Sequence, residues 1–355
     1  MYSPEKLAQI LSHFSIARNS YEFQPKDDGL INDTFLVTAN GTPEFILQRI
    51  NCDVFDDPKV LMGNINRALI YLQGDGYAQL NLIRTTLDKY YSVNEGAFWR
   101  LMEYIPGSTT HNTTNNPVIS HEAGKIIGTF HNLLENARIS EFSDVIPDFH
   151  NLENRKNTFY EVAALANPKR LGIAGEAISR SIELFQALKG LDRLRLPSRI
   201  CHNDTKLNNI LFSQSSGRAL CLIDLDTLMK GYFYYDFGDA VRTIVNTAPE
   251  DGQDHTKITF ERGLFEAFVD GLAASQLNLT DGELDSLPLG AVHMPFIHGL
   301  RALTDYLNED RYYKVMYETQ NLDRCLSLFD FANKALGETA YMAKILTKKF
   351  KSRSV

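Results

Sequence analysis

Leu7, Ile10, Leu11 and Phe14 stand at the i, i+3, i+4, i+7 spacing that gives a helix one apolar stripe. Ser3-Pro4-Glu5 ahead of them supplies an N-cap, a proline at the first helical position and an acidic first turn. The chain therefore opens on an amphipathic helix. The pattern then changes to that of strands. Tyr21-Glu22-Phe23, Asp33 to Thr38 and Phe45 to Ile50 are short β-forming runs, and Asn40-Gly41 is a hairpin turn between the last two. Three antiparallel strands are expected, then a helix over Pro58–Leu72. Two further strands are expected at Leu80–Arg84 and around Phe98–Met102.

Ile105-Pro106-Gly107-Ser108 breaks the pattern and marks a lobe boundary, dividing the chain into residues 1–105 and 106–355. From His121 the spacing is mainly helical, with Ala123, Ile127, Phe130, Leu133 and Leu134 on one stripe. A short β hairpin is expected between Ile200 and Asp224, and helices again beyond Asp236. The predicted class is α+β: a small antiparallel β lobe, then a larger helical lobe, the layout of a protein-kinase-like fold.

Composition narrows the function. The 355 residues are 44% hydrophobic and 23% charged, enough for a sizeable core. The net charge of −8 argues against the broad basic surface of a nucleic-acid binder. No apolar run approaches the roughly 20 residues that cross a bilayer, and no signal peptide is apparent, so neither nucleic acid nor membrane is expected as a partner. Cys52, Cys201, Cys221 and Cys325 form no C-x-x-C pair and read as reduced thiols in a cytoplasmic protein. Nothing calls for an obligatory protein partner.

The chemistry concentrates in His202-x-Asp204-x-x-x-x-Asn209, followed fifteen residues later by Asp224 in Leu222-Ile223-Asp224-Leu225-Asp226. Phosphoryl transfer asks a protein to position a nucleophile and neutralise charge. Asp204 suits the carboxylate that accepts a hydroxyl proton. Asn209 and Asp224 supply the hard oxygen ligands that Mg2+ takes, and a hairpin between them would bring both to one end. Lys206 is placed to meet the γ-phosphate. His202 is expected to prop the loop. Asp226 is either a second metal or substrate contact or a loop brace. Asp236-Phe237-Gly238 looks like the metal-binding DFG triplet, but it lies too far past Asn209 and opens a helix. Asp236 is therefore expected to cap that helix or brace the catalytic loop.

With these residues in view, the catalytic segment resembles the aminoglycoside phosphotransferase and choline kinase superfamily. More narrowly, Asp28-Gly29-Leu30-Ile31-Asn32-Asp33-Thr34-Phe35, Phe45-Ile46-Leu47-Gln48, His202 to Leu211, and Ile223 to Thr227 resemble the N-acetylhexosamine 1-kinases. Asp236-Phe237-Gly238-Asp239 and Arg301 with Asp305-Tyr306-Leu307 extend the resemblance, which runs from about residue 20 to about residue 330. It implies ATP- and Mg2+-dependent phosphorylation of the anomeric hydroxyl of N-acetylglucosamine or N-acetylgalactosamine, with Arg301 and Tyr312 beside Asp204 at the sugar. It also implies a nucleotide site in residues 1–105. The turn carrying Gly29, Asn32 and Thr34 would lie over the phosphates, Gln48 would sit on the third strand, and Glu103-Tyr104-Ile105 would read the adenine. Protein kinases carry a lysine where Gln48 stands; Arg49 projects from the other face of the strand and is no simple substitute. Two alternatives stay open: a kinase for another small alcohol, such as an aminoglycoside, choline or homoserine, and a nucleotide-binding regulator without catalysis.

Overall fold

The computed structural model describes residues 2–17, 19–26, 31–191, 194–250 and 252–351. Helix α1 (Pro4–Leu11) starts at Ser3, whose hydroxyl accepts a bond from Lys6 N. Its Leu7, Ile10 and Leu11, with Phe14, cover one face of a five-stranded antiparallel sheet. The strands are β1 (Tyr21–Lys26), β2 (Asp33–Ala39), β3 (Thr42–Ile50), β4 (Ser92–Asn94) and β5 (Ala97–Glu103), in the order β1-β2-β3-β5-β4. Asn40 and Gly41, at φ 51° and 75°, make the turn between β2 and β3 that their sequence predicts. Alternation sends Phe35, Val37, Leu47, Trp99 and Leu101 toward α1. Thr34, Gln48 and Arg100, cross-strand partners of one another, take the opposite face.

The strand expected at Leu80–Arg84 does not form. Only Leu82 bridges Met102, as Ile83 N donates to Leu101 O and Glu103 N to Asn81 O at 2.8 and 2.9 Å. β4 pairs with the other half of that same β5 edge, at Ala97 to Trp99. Two short segments share one edge, so neither is long enough to show an alternating pattern.

Helix α2 (Pro58–Tyr71) is capped by Asp57, which accepts from Lys59 N and Val60 N. Its buried Leu61, Met62, Ile65 and Ala68 join the larger core rather than the small one. Asn64 fixes it there, donating to Leu228 O at 2.9 Å and Ser143 O at 2.7 Å.

Past Ile105-Pro106, β6 (Ser108–Thr109) pairs with β8 (Ile210–Ser213), which pairs with β9 (Ala219–Leu222). The expected hairpin is thus β8–β9. Its neighbour β7 (Arg199–Cys201) pairs outside it, with β10 (Met229–Gly231). Around these strands lie α3 (Pro117–Leu133), α4 (Leu152–Leu165), α5 (Pro168–Ile173), α6 (Gly175–Ala187), α7 (Phe233–Ile244), α8 (Arg262–Ala274), α9 (Asp281–Leu307), α10 (Gln320–Gly337) and α11 (Thr339–Lys351). α7 and α9 cross so closely that a Cβ on Gly238 would lie 2.1 Å from Gly290 O. The α+β, two-lobed arrangement expected from the sequence is observed. Among the described residues no helix is long and apolar enough to cross a membrane.

Candidate active site

The loop between β7 and β8 is built by Asp236, which sits in the first turn of α7 and is fully buried. Its two oxygens accept from His202 N at 2.9 Å and Asn203 N at 2.7 Å, and Oδ2 also lies 2.9 Å from His131 Nε2. Thr205 Oγ1 donates to Asp236 O at 2.6 Å. Asp236 therefore braces the loop; the alternative expectation of a helix cap does not hold, since the cap position is Tyr232. His202 props the loop from the other side, with Nε2 2.8 Å from Ile223 O and its own carbonyl accepting from Thr227 Oγ1. Asn203 takes a left-handed φ of 62°, which asparagine tolerates, and its amide bonds Thr227 O at 3.0 Å.

This frame presents Asp204, one-fifth exposed. Asn209 Nδ2 donates to its backbone oxygen and to Oδ2, both at 2.8 Å, and Lys206 Nζ lies 3.0 Å from Oδ2. Burial works to raise the Asp204 carboxyl, but the Lys206 ammonium and His202 outweigh it and hold the group below the usual carboxylate range. Lys206 is stabilised as a cation: burial opposes its charge, and Asp204 and then Asp224 overcome that.

The hairpin joins Asn209 to Asp224 as the spacing requires. Ile210 faces Leu222 in the ladder, and Ile223 N donates to Asn209 O at 2.9 Å. Asp224 follows at φ 59°, a left-handed conformation rare for a residue with a side chain. Burial, and next the charge of Asp226, push its carboxyl up to about 6, against Lys206. The donor types fit a hard divalent cation: the Asn209 amide nitrogen is spent on Asp204, which leaves its carbonyl oxygen uncommitted, and Asp224 supplies a carboxylate at the other end of the hairpin.

In the nucleotide half, Gly29 lies outside the described residues. The other side chains bond among themselves. Gln48 Nε2 donates to Thr34 Oγ1 at 3.0 Å, and its Oε1 accepts from Arg100 Nε and Nη2 at 3.0 and 2.8 Å. Arg100 Nη1 forms a buried ion pair with Asp226, which also accepts from Asn32 Nδ2 at 2.7 Å. Asp226 is thereby a brace. Arg49 pairs with Asp33 on the far face, as alternation predicts. At Glu103-Tyr104-Ile105, Tyr104 N donates to Glu44 O and Ile105 O accepts from Ser108 Oγ. Tyr104 N is therefore not free for a base, while Ile105 O keeps a second lone pair.

Arg301 and Tyr312 come together within electrostatic reach of Asp204. The guanidinium carbon lies 4.6 Å from the Phe149 ring centre, and Nη2 donates to Tyr312 Oη at 3.4 Å. Asp204 contributes to the electrostatics of Arg301. Three neighbours were missed from the sequence. Asp239 pairs with Arg242 at 2.7 Å and leaves its buried Oδ2 without a hydrogen-bond partner. His298 Nε2 lies 3.2 Å from Asp239 Oδ1, and the ring is held neutral by burial and then by Arg242 and Arg301. Arg155 is lowered to about 10, first by burial and then by Arg301. Asp239 carried a signal, three residues beyond Asp236 on one helix face; for Arg155 and His298 nothing local distinguished them.

Comparison with known proteins follows the same lines. The family described as phosphotransferase enzyme family (APH) matches residues 22–275. Among solved structures, a microcompartment-associated aminopropanol kinase aligns with a TM-score of 0.68 at 16% identity, covering 94% of this chain and 97% of its own. An amicoumacin kinase in complex with AMP-PNP, Ca2+ and Ami aligns at 0.63 with 14% identity, covering 95% and 94%. A choline kinase from Cryptosporidium parvum Iowa II aligns at 0.55 with 15% identity, covering 98% and 97%. At such identities these likenesses establish the fold.

Proposed function

Because the chain belongs to the phosphotransferase enzyme family, we propose that it transfers the γ-phosphoryl group of ATP, with Mg2+, to the anomeric C1 hydroxyl of an N-acetylated hexosamine. The observation that carries the choice of acceptor is Arg301. It stacks on Phe149, bonds Tyr312, has no carboxylate partner among the described residues, and stands within electrostatic reach of Asp204. A free guanidinium beside the base repels a cationic amino alcohol or aminoglycoside and suits the hydroxyls and amide carbonyl of a neutral sugar. The resemblance to N-acetylhexosamine 1-kinases supports the same reading.

The geometry supports a role for each residue. Both contacts to Asp204 fall on Oδ2, so Oδ1 is the oxygen that takes the acceptor proton. Lys206, between Asp204 and Asp224, offsets charge on the group in transfer. Asn209 and Asp224 would hold Mg2+, which would neutralise charge on the nucleotide phosphates. Residues 1–105 carry the nucleotide, with Asn32 and Thr34 near the phosphates and Glu103-Tyr104-Ile105 beside the adenine. Asn32, Thr34 and Gln48 act there by shaping the site, since Gln48 bonds Thr34 directly and Asn32 bonds Asp226. Four free thiols fit a cytoplasmic enzyme.

A substrate panel tests the acceptor. Purified protein with ATP and Mg2+ should release ADP with N-acetylglucosamine or N-acetylgalactosamine and give an acid-labile sugar 1-phosphate by 31P NMR. Arg301→Gln should raise KM for the sugar about tenfold or more, the cost of roughly one charge-assisted hydrogen bond, with KM for ATP unchanged. Turnover with choline, aminopropanol or an aminoglycoside and none with the sugars would replace this reading by that of an amino-alcohol kinase.

The raised Asp224 carboxyl gives a pH signature. Its proton stays on in the folded protein up to about pH 6, whereas an unfolded aspartate loses it near 4. The stability it contributes is therefore present below pH 4 and lost as pH rises through about 6. Divalent metal must displace that proton. Mg2+·ADP binding should release about three-quarters of a proton at pH 5.5 and almost none at pH 7.5, measured by calorimetry in buffers of different ionisation enthalpy. Equal release at both pH values, or the same release from Asp224→Asn, would remove Asp224 from the metal site.

A further inference from the structure

The third strand of the sheet lacks the lysine that kinases place over the nucleotide, yet a cation does occupy this region. Arg100 reaches it from the adjacent strand β5, and its side chain is 2% exposed. Three of its nitrogens are committed. Nε and Nη2 hold Gln48 Oε1 at 3.0 and 2.8 Å, and Nη1 holds Asp226. Gln48 passes the connection to Thr34, and Asp226 accepts in addition from Asn32. One planar guanidinium thus ties β2, β3 and β5 to the catalytic lobe, at a residue two positions beyond Asp224.

We propose that Arg100 is the positioning residue of the metal site. It replaces the third-strand lysine by a different route, clamping Asp226 so that the left-handed turn at Asp224 presents its carboxylate beside Asn209. This rests on the reading of Asp224 as a Mg2+ ligand. Arg100 is too enclosed to be offered as a phosphate contact; its effect passes through Asp226. Burial makes the clamp demanding, because neither charge can be released to water and each needs the other. The fork geometry matters as well: a lysine has no planar set of donors to hold Gln48 and Asp226 together. Groups that orient metal ligands from behind change metal affinity by about 10–100-fold when removed.

The test compares binding of Mg2+·ADP with binding of ADP in EDTA, by calorimetry on the full chain. Arg100→Met should weaken Mg2+·ADP at least tenfold and leave metal-free ADP within about threefold. Arg100→Lys should fall between Arg100→Met and the wild type. If Arg100→Met does not fold, the double variant Arg100→Met/Asp226→Asn removes both buried charges together and should restore a wild-type-like Tm, since a pair replaced as a unit leaves no orphan charge. Its Mg2+·ADP affinity should stay at least tenfold down. A double variant that regains both Tm and Mg2+·ADP affinity would reduce the pair to a structural one and overturn the proposal. Asp224→Asn serves as the reference. If it too leaves Mg2+·ADP binding unchanged, the metal reading itself has failed. If it loses binding while the Arg100 variants keep it, only the clamp has.

Discussion

Asp204→Asn should lower kcat by about 10^2–10^4-fold, the range supplied by a positioned general base, while ATP binding stays within about threefold of the wild type. Asparagine keeps the shape of the side chain and its bond from Asn209, but it cannot take a proton from a hydroxyl. Lys206 loses its nearest counter-charge, at 3.0 Å, yet keeps Asp224 nearby. The charge that faces the nucleotide therefore survives the substitution. ADP release in the presence of the accepted substrate measures the first effect, and calorimetry with ATP the second. A kcat within tenfold of the wild type would take Asp204 out of the mechanism. A parallel collapse of ATP affinity would show that the residue holds the nucleotide and does no proton transfer.

Asp236→Ala should be the more damaging change to the protein as a whole. The carboxylate is fully buried and accepts from two consecutive backbone N–H groups and from His131. Alanine leaves all three donors without a partner where no water replaces it. Removing one side of such a buried charged contact costs on the order of 3–5 kcal/mol, a large fraction of an ordinary stability of about 5–15 kcal/mol. Urea unfolding followed by the fluorescence of Trp99, the single tryptophan, would report it. The folded fraction should also lose activity at least about 100-fold, because the amides of His202 and Asn203 set the position of Asp204 and misplacing a reacting group by about 1 Å costs that much. Asp236→Asn keeps one acceptor oxygen and should fall between the two. An Asp236→Ala protein with wild-type stability would mean that the loop holds its shape through Thr205, through Thr227 on His202 O and through His150, whose Nε2 lies 2.9 Å from Asn203 O.

The catalytic half of the site was legible because it is local. His202 to Asn209 is one loop, and Asp224 lies one hairpin away, so spacing alone brings Asn209 and Asp224 to one end. The triplet Asp236-Phe237-Gly238 could be set aside for the same reason, as too distant for the metal. The nucleotide half was not legible, since its contacts are between residues far apart in the chain. Arg100 and Asp226 are 126 positions apart, and in sequence Arg100 is only a charge inside the apolar run Phe98 to Met102. Alternation does place it beside Gln48, but it does not say what either side chain holds. The missing strand β4 illustrates a different limit. Ser92-Val93-Asn94 is three residues long and one of them is buried, so it has no pattern to read. Its existence depends on the free edge of β5, as does the failure of Leu80–Arg84 to extend into a strand. The expectation that Asp236 might cap a helix failed because capping preferences describe the first residue outside a helix. Asp236 instead lies a turn inside, facing the loop.

Helix α2 carries a consequence for how such an enzyme can be governed. In protein kinases the corresponding helix travels with the nucleotide lobe, and its position controls whether an ion pair to the third-strand lysine is made. Here that ion pair has no lysine, and α2 is fastened by Asn64 to Leu228, just past the turn at Asp224. The buried face of the helix is part of the larger core, so a swinging-helix switch would first have to break that burial and the Asn64 bonds.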